Sequence, residues 1–412
     1  MAPVWLYIRI IIVMCLVMIM VSCASNFQKP TPFDNTGFRN RAKTIAEDGI
    51  RISATVPNLK ESRAIFCIDL EKKGVQPLWL EIENNTDRQI YFLPTGLDPE
   101  YFTPREVSFG YHRLFSKTAN RQIDEHIDSL GFRNLINPHS TSSGFVFTNP
   151  DEESKLVTLD LIGREWTKSF TLIVPTQNTS FTEDHYERIL RMIVSSELIE
   201  AKDESQLREL LEKLPCCTSS KDGVQSEPLN IVIIGKIQDI SPAFARRNYR
   251  YTPVSPRYVF QRPQDISVSK RDRWVAAQPH VLRAWLTKIR YRNKPVWIGQ
   301  VSTPLGGRFA HATAEGNDAY IEPFVDEARN DLIQDIIYSQ SLVKLGFVKG
   351  VGRVMASTPR KISGGATYHT DGLRAVLMFE RRPVSLSEIE FLGWERLVDH
   401  YRQQFDGVES EK

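Results

Sequence analysis

The 412-residue chain has little cysteine, five residues in all, too few for a disulfide framework. No Cys-x-x-Cys pair occurs, which argues against a zinc ribbon or a thioredoxin-type site. Motifs that would declare a reaction are missing as well: there is no Walker loop, dinucleotide fingerprint, Gly-x-Ser-x-Gly elbow or His-Glu-x-x-His pair. Only one apolar run is long, Ile10 to Val21, and no second stretch could span a bilayer. Net charge is close to absent at +2, and neither an internal repeat nor a low-complexity tract is visible, so a solenoid or a disordered polyelectrolyte is excluded.

What is present suits packed domains. With 41% hydrophobic and 25% charged residues the chain can bury real cores, and its length suggests two or three of them. Arg9, the apolar run and Met20-Val21-Ser22-Cys23 follow one another in an order that resembles a bacterial lipoprotein signal. The resemblance implies removal of residues 1–22 and a diacylated Cys23, palmitate being an expected chain. Ala24, in place of an aspartate, points to the outer membrane of a Gram-negative cell envelope rather than the inner one. An uncleaved anchor is the alternative. Residues 23–49 are polar, with Pro30, Pro32 and Asn35-Thr36-Gly37, and read as a tether. Cys15 would leave with the signal. Cys67, Cys216 and Cys217 then remain, and a vicinal disulfide, a bridge to Cys67 and buried free thiols all stay open.

Residues 50–179 alternate as strands do. Leu78, Leu80 and Ile82 followed by the Asn84-Asn85-Thr86-Asp87 turn and Ile90 to Leu93 predict a hairpin; Phe145 to Thr148, Leu156 to Ile162 and Phe170 to Val174 predict further strands, together an antiparallel β-sandwich. Tyr111, Phe115, Ala119, Ile123, Ile127 and Leu130 predict a helix beside it. Residues 180–227 read as a helical connector and loop, opened by capping-box spacings at Ser180–Glu183 and Asp203–Gln206 and stopped by Pro215. A mixed α/β domain over 228–385 follows, with strands at Leu229 to Ile234, Leu282 to Tyr291, Val296 to Val301, Phe347-Val348 and Leu373 to Phe379. Val325, Ala328, Leu332, Ile333, Ile336 and Ile337 line one helix face. Residues 386–412 are expected as a C-terminal helix or tail. The fold class is therefore α+β and multidomain.

Leu214-Pro215-Cys216-Cys217-Thr218, Pro228 to Val232, Lys294 to Gln300, Asp326 to Leu332, Gly346 to Gly352 and Tyr368 to Arg374 resemble, in that order, the LssY carboxy-terminal domain family over roughly residues 214–380. Domains of this family are often attached to membrane proteins of the type 2 phosphatidic acid phosphatase kind. This chain has neither a Pro-Ser-Gly-His-like motif nor a multi-helix membrane region, so the resemblance implies no phosphatase activity.

One constellation could be catalytic: His311, Asp331, Asp335, His369 and Asp371, with Arg308, Glu322 and Asp326 nearby in sequence. Asp331 and Asp335 are four apart and share a helix face, where a histidine could join them; the same residues also fit the solvated side of an amphipathic helix. Glycine pairs at 306–307, 350–352 and 364–365, flanked by Arg308, Arg353 and Lys361, could turn N–H groups toward an anion, or simply make turns. His280 has no suggestive company. Residues 228–383 hold 24 Lys and Arg against 12 Asp and Glu, so a basic domain is joined to an acidic remainder. Arg246, Arg247 and Arg250 lead the densest cluster. The expectation is a binding or assembly module for an anionic lipid, lipopolysaccharide or an acidic envelope protein, with no metal or other cofactor and with nucleic acid disfavoured. A hydrolase of phosphoester or cell-wall substrates is the alternative.

Overall fold

A computed structural model describes residues 36–114, 116–151, 154–176, 198–252, 254–270, 280–304, 321–362 and 365–400. Cys23, Arg308, His311 and the Ser180–Glu183 capping spacing lie outside them. The chain is mixed α and β and resolves into two compact units. The first takes in the chain up to Phe92, Tyr101–Pro150 and Ile162–Trp166; the second comprises Leu93–Glu100, Asp151–Leu161 and everything from Thr167 onward.

In the first unit, β1 (Lys43–Glu47), β2 (Ile50–Thr55) and β3 (Gln76–Asn84) form an antiparallel sheet in sequence order; β4 (Ile90–Leu93) pairs antiparallel with β5 (Leu135–Ile136), and β6 (Ser140–Thr148) lies along β3. The expected hairpin between β3 and β4 does not form. Period-2 alternation sets which face is buried but not which strand is the neighbour. Asn84 closes β3 by donating to the carbonyls of Arg88 at 2.7 Å and Asn137 at 3.0 Å, and the chain leaves that sheet there. Trp79, Phe145 and Phe147 share one sheet face, on which α1 (Leu59–Phe66), α2 (Pro104–Phe109) and α3 (Lys117–Leu130) place Phe66, Val107, Ile123 and Ile127. Asn58 caps α1 with a reciprocal capping box through Glu61.

The second unit contains β7 (Ser154–Gly163) and β8 (Trp166–Pro175) except for their adjoining ends. Its centre is a nine-stranded sheet made by β9 (Ile199–Ala201), β12 (Ile231–Ile234), β13 (Tyr249–Tyr251), β16 (Ile266–Lys270), β17 (Val281–Tyr291), β18 (Lys294–Ser302), β19 (Leu342–Lys349), β22 (Leu373–Phe379) and β23 (Glu390–Leu392). Two short antiparallel sheets sit beside it, one of β10 (Cys217–Ser219), β11 (Gln225–Pro228), β14 (Tyr258–Val259) and β15 (Arg262–Pro263), the other of β20 (Arg360–Lys361) and β21 (Thr367–Tyr368). β23 takes an edge position beside β19, so this part of the expected C-terminal helix or tail is strand.

The unbroken apolar run of β12 has a physical cause. Ile231 and Ile233 face α5 (Ile237–Arg246) and α6 (Val325–Tyr338), while Val232 and Ile234 face α4 (Glu204–Glu212), so both sides of the strand are covered. The β17–β18 hairpin turns on Arg292 and Asn293, both at positive φ (51° and 59°), with Tyr291 opposite Lys294. Asp203 accepts from the Gln206 N–H at 2.8 Å and starts α4 where the sequence places a helix start.

Candidate functional site

α6 carries the acidic residues singled out in the sequence. Its apolar stripe, Ala328, Leu332, Ile333 and Ile336, docks on the sheet and leaves Asp331, Gln334, Asp335 and Tyr338 along one side. Arg247 from the end of α5, Lys270 from the end of β16 and His280 just before β17 converge on that side, and together they line a polar cleft of about 320 Å³.

Asp335 is the hub of the cleft. Lys270 Nζ donates to its two oxygens at 2.9 and 2.7 Å, Arg247 Nη2 donates at 2.9 Å, and Tyr249 Oη donates at 2.9 Å. Burial alone would push this carboxyl up, but Lys270 and then Arg247 hold it below the usual carboxylate range. Arg247 and Lys270 keep 35% and 31% of their side-chain surface exposed, so both remain reachable from solvent. At the rim, His280 Nε2 lies 3.3 Å from Asp331 Oδ2 and its Nδ1 lies 2.9 Å from Thr303 Oγ1. Burial lowers the His280 pKa against the pull of Asp331, which favours the neutral imidazole.

The other expected candidates are elsewhere. Asp371 is fully buried and accepts both Arg329 guanidinium nitrogens, at 2.9 and 2.8 Å; Asp326, also buried, accepts from the Asp371 N–H at 2.6 Å and from Thr370 Oγ1 at 2.8 Å. Burial raises the Asp326 pKa to about 6 despite Arg329. His369 stacks on Phe324 at 5.1 Å. These residues hold the start of α6 to the start of β22 and do not share the cleft. Among the described residues no group of three or more His, Cys, Asp or Glu could hold a metal ion.

The arginine cluster is occupied within its own unit. Arg246 pairs with Asp160 at 2.7 Å, Arg247 with Asp335, and Arg250 with Asp98 at 3.0 Å. Arg257 pairs with Glu227 at 2.9 Å and Arg262 with Asp265. Arg353 is exposed and donates to His400 at 3.3 Å. Gly350 has φ 136°, and a Cβ there would also meet the Arg374 guanidinium 2.7 Å away, so backbone conformation and close packing together account for this glycine. Cys67, Cys216 and Cys217 are free thiols.

The cleft, its Asp335 hub with the cations that hold it, and α6 fall within residues 243–373, which match the family model of the LssY C-terminus. This region is an LssY C-terminal domain. The match is narrower than the resemblance over residues 214–380 and leaves Cys216 and Cys217 outside it. No curated protein matches the chain. His280 is among the cleft residues that sequence reasoning passed over: it stands 51 positions before Asp331, and only the sheet topology brings them together.

Proposed function

We propose that the chain is a lipid-anchored cell-envelope protein whose LssY C-terminal domain is a binding or assembly module for an anionic envelope component. One observation carries the reading of the cleft: two partly exposed cations, Arg247 and Lys270, share a single buried carboxylate, Asp335. An incoming phosphate or carboxylate can take up their free N–H groups without breaking the Asp335 contacts. The lipoprotein-like segment ending at Cys23 supports the anchor and an outer-membrane location; Cys23→Ala should release the protein from the membrane, and a variant that stays bound would sink that part. For the cleft, Arg247→Gln with Lys270→Gln should weaken binding of the water-soluble form to phosphatidylglycerol-containing vesicles roughly tenfold at low salt. Unchanged binding would place the anion site elsewhere.

The alternative, a hydrolase, is favoured by one observation, although with partners other than those the sequence suggested. Thr303, His280 and Asp331 stand in the order hydroxyl, base, orienting carboxylate, with contacts of 2.9 and 3.3 Å. Phosphoester and peptidoglycan hydrolysis assays on the wild type and on Thr303→Ala and His280→Ala separate the readings, since activity lost in both variants would make the protein an enzyme.

A further inference from the structure

Outside the cleft, and independent of the reading above, α4 ends at a second cluster of chemistry-bearing groups. Leu214 and Pro215 deliver Cys216 and Cys217 to β10. The two thiols are adjacent in the chain, and each acts on the ionisation of the other. Cys217 is buried, with Sγ 4.0 Å from the Tyr368 hydroxyl, whereas Cys216 is half-buried and accepts from Gln225 Nε2 at 3.0 Å. Arg360 donates to Tyr368 at 3.4 Å, and both Arg360 and Arg374 act on the thiols as positive charges.

Arg374 is unusual in its partners. It is fully buried and donates only to carbonyls: Leu229 at 3.0 Å, Leu211 at 2.6 Å, Leu214 and Gly350 at 3.0 Å, and Pro215. A helix C-terminus is a poor place for a thiolate, because its free carbonyls carry partial negative charge. Here the guanidinium neutralises those carbonyls and supplies a full positive charge beside Cys216. The neighbouring Cys217 thiol, opposed by burial and then joined by Gln225, Arg360 and Arg374, brings the Cys216 thiol down to about 6, while Cys216 and burial push Cys217 up.

We propose that Cys216 and Cys217 form a thiol redox site, with Cys216 the nucleophile toward a hydroperoxide and Cys217 the resolving thiol. The Cys216 thiolate attacks one peroxide oxygen; an S–O bond forms, the O–O bond breaks, and the departing alkoxide takes a proton from water to leave as an alcohol. Cys216 is then a sulfenic acid. Cys217 attacks its sulfur, an S–S bond forms, the S–O bond breaks, and the hydroxide leaves as water with the Cys217 proton. The peroxide gains two electrons and the two thiols lose them, giving a vicinal disulfide.

The test uses the full, reduced protein and peptide mass spectrometry of each cysteine. Burial raises the Cys67 thiol, which is exposed and serves as an internal control. At pH 6, iodoacetamide should label Cys216 roughly twentyfold faster than Cys67, the gain in thiolate fraction being partly offset by lower intrinsic nucleophilicity. Arg360→Gln should slow Cys216 labelling several-fold without moving the melting temperature. Hydrogen peroxide should then link Cys216 to Cys217 with loss of two hydrogens, and in Cys217→Ser it should leave a dimedone-reactive sulfenic acid at Cys216. Labelling of Cys216 no faster than Cys67 would overturn the nucleophile assignment, and a peroxide-treated wild type without the 216–217 link would overturn the resolving role.

Discussion

The two units of this chain bury different kinds of polar group. In the first, the buried polar side chains among the described residues are Thr55, Ser62, Asn84, Ser108 and Thr148, none of them charged. In the second, Asp98, Asp151, Lys155, Glu227, Arg250, Asp265, Arg283, Asp326, Arg329, Asp335, Asp371 and Arg374 are all buried. The first unit is held by shape, with Phe66 edge-on to Phe145 at 4.9 Å and to Phe147 at 5.6 Å. The second is held in addition by charge pairs that are costly to desolvate and far more costly to break singly. Uniqueness of packing in one unit comes from aromatic geometry; in the other a network of ions also selects which segment meets which.

That contrast can be broken most severely at Arg329. Arg329→Leu leaves Asp326 and Asp371 buried without their cation and should cost about 3–5 kcal/mol in urea unfolding followed on the second unit. The loss should shrink in acid. Burial already raises the Asp326 carboxyl against the pull of Arg329, and without the guanidinium it titrates higher still in the folded state, so the penalty grows as pH rises above about 4 and is relieved below it. Phe66→Ala in the first unit should cost a comparable 3–4 kcal/mol, and that cost should be indifferent to pH; a strong pH dependence would mean the two units are not built on different terms.

Glu227 offers a smaller, graded test. Its carboxyl is driven up by burial but held net below its usual 4.5 by Arg257, so its stabilisation is present above that value and is lost as pH falls through the folded pKa. Glu227→Gln should therefore flatten the acid limb of the stability curve. Smallest of all should be Arg247→Gln, since Lys270 still holds Asp335 and Arg247 is one-third exposed; a change of at most about 1 kcal/mol is expected in thermal melting. A larger loss would make Arg247 a structural residue and remove it from the proposed binding cleft.

Much of the second unit was legible as sequence because its elements are strongly periodic. Ile231 to Ile234 reads as a strand covered on both faces, the α6 stripe has helical spacing, and the β17–β18 hairpin is marked by polar turn residues between two apolar runs. The partner of β3 was not legible, because β2 and β6 present the same alternation as β4 and only the Asn84 contacts show where the chain departs. For the site, four-residue spacing places Asp331 and Asp335 on one helix face, and in the fold both line one cleft. It could not reveal that Asp335 is held by Lys270, Arg247 and Tyr249, nor that Asp371 belongs to Arg329, since those contacts join residues from separate strands and helices. Arginine density was visible; of the carboxylates that answer it, Asp98 and Asp160 precede the cluster by 86 residues or more and Asp335 follows Arg247 by 88.

Under α5, on the sheet face formed by Ile233, Leu282 and Trp297, the second unit also has an apolar pocket of about 120 Å³, partly open to the surface and bounded by Ile240 and Phe244. Water gains few hydrogen bonds against this apolar lining, so poorly filled space there adds to the volume of the folded molecule, and unfolding lets water reclaim it. Hydrostatic pressure therefore acts on this unit as a denaturant through volume alone. Ala284, on the cavity wall, is where added side-chain bulk should make the protein less compressible.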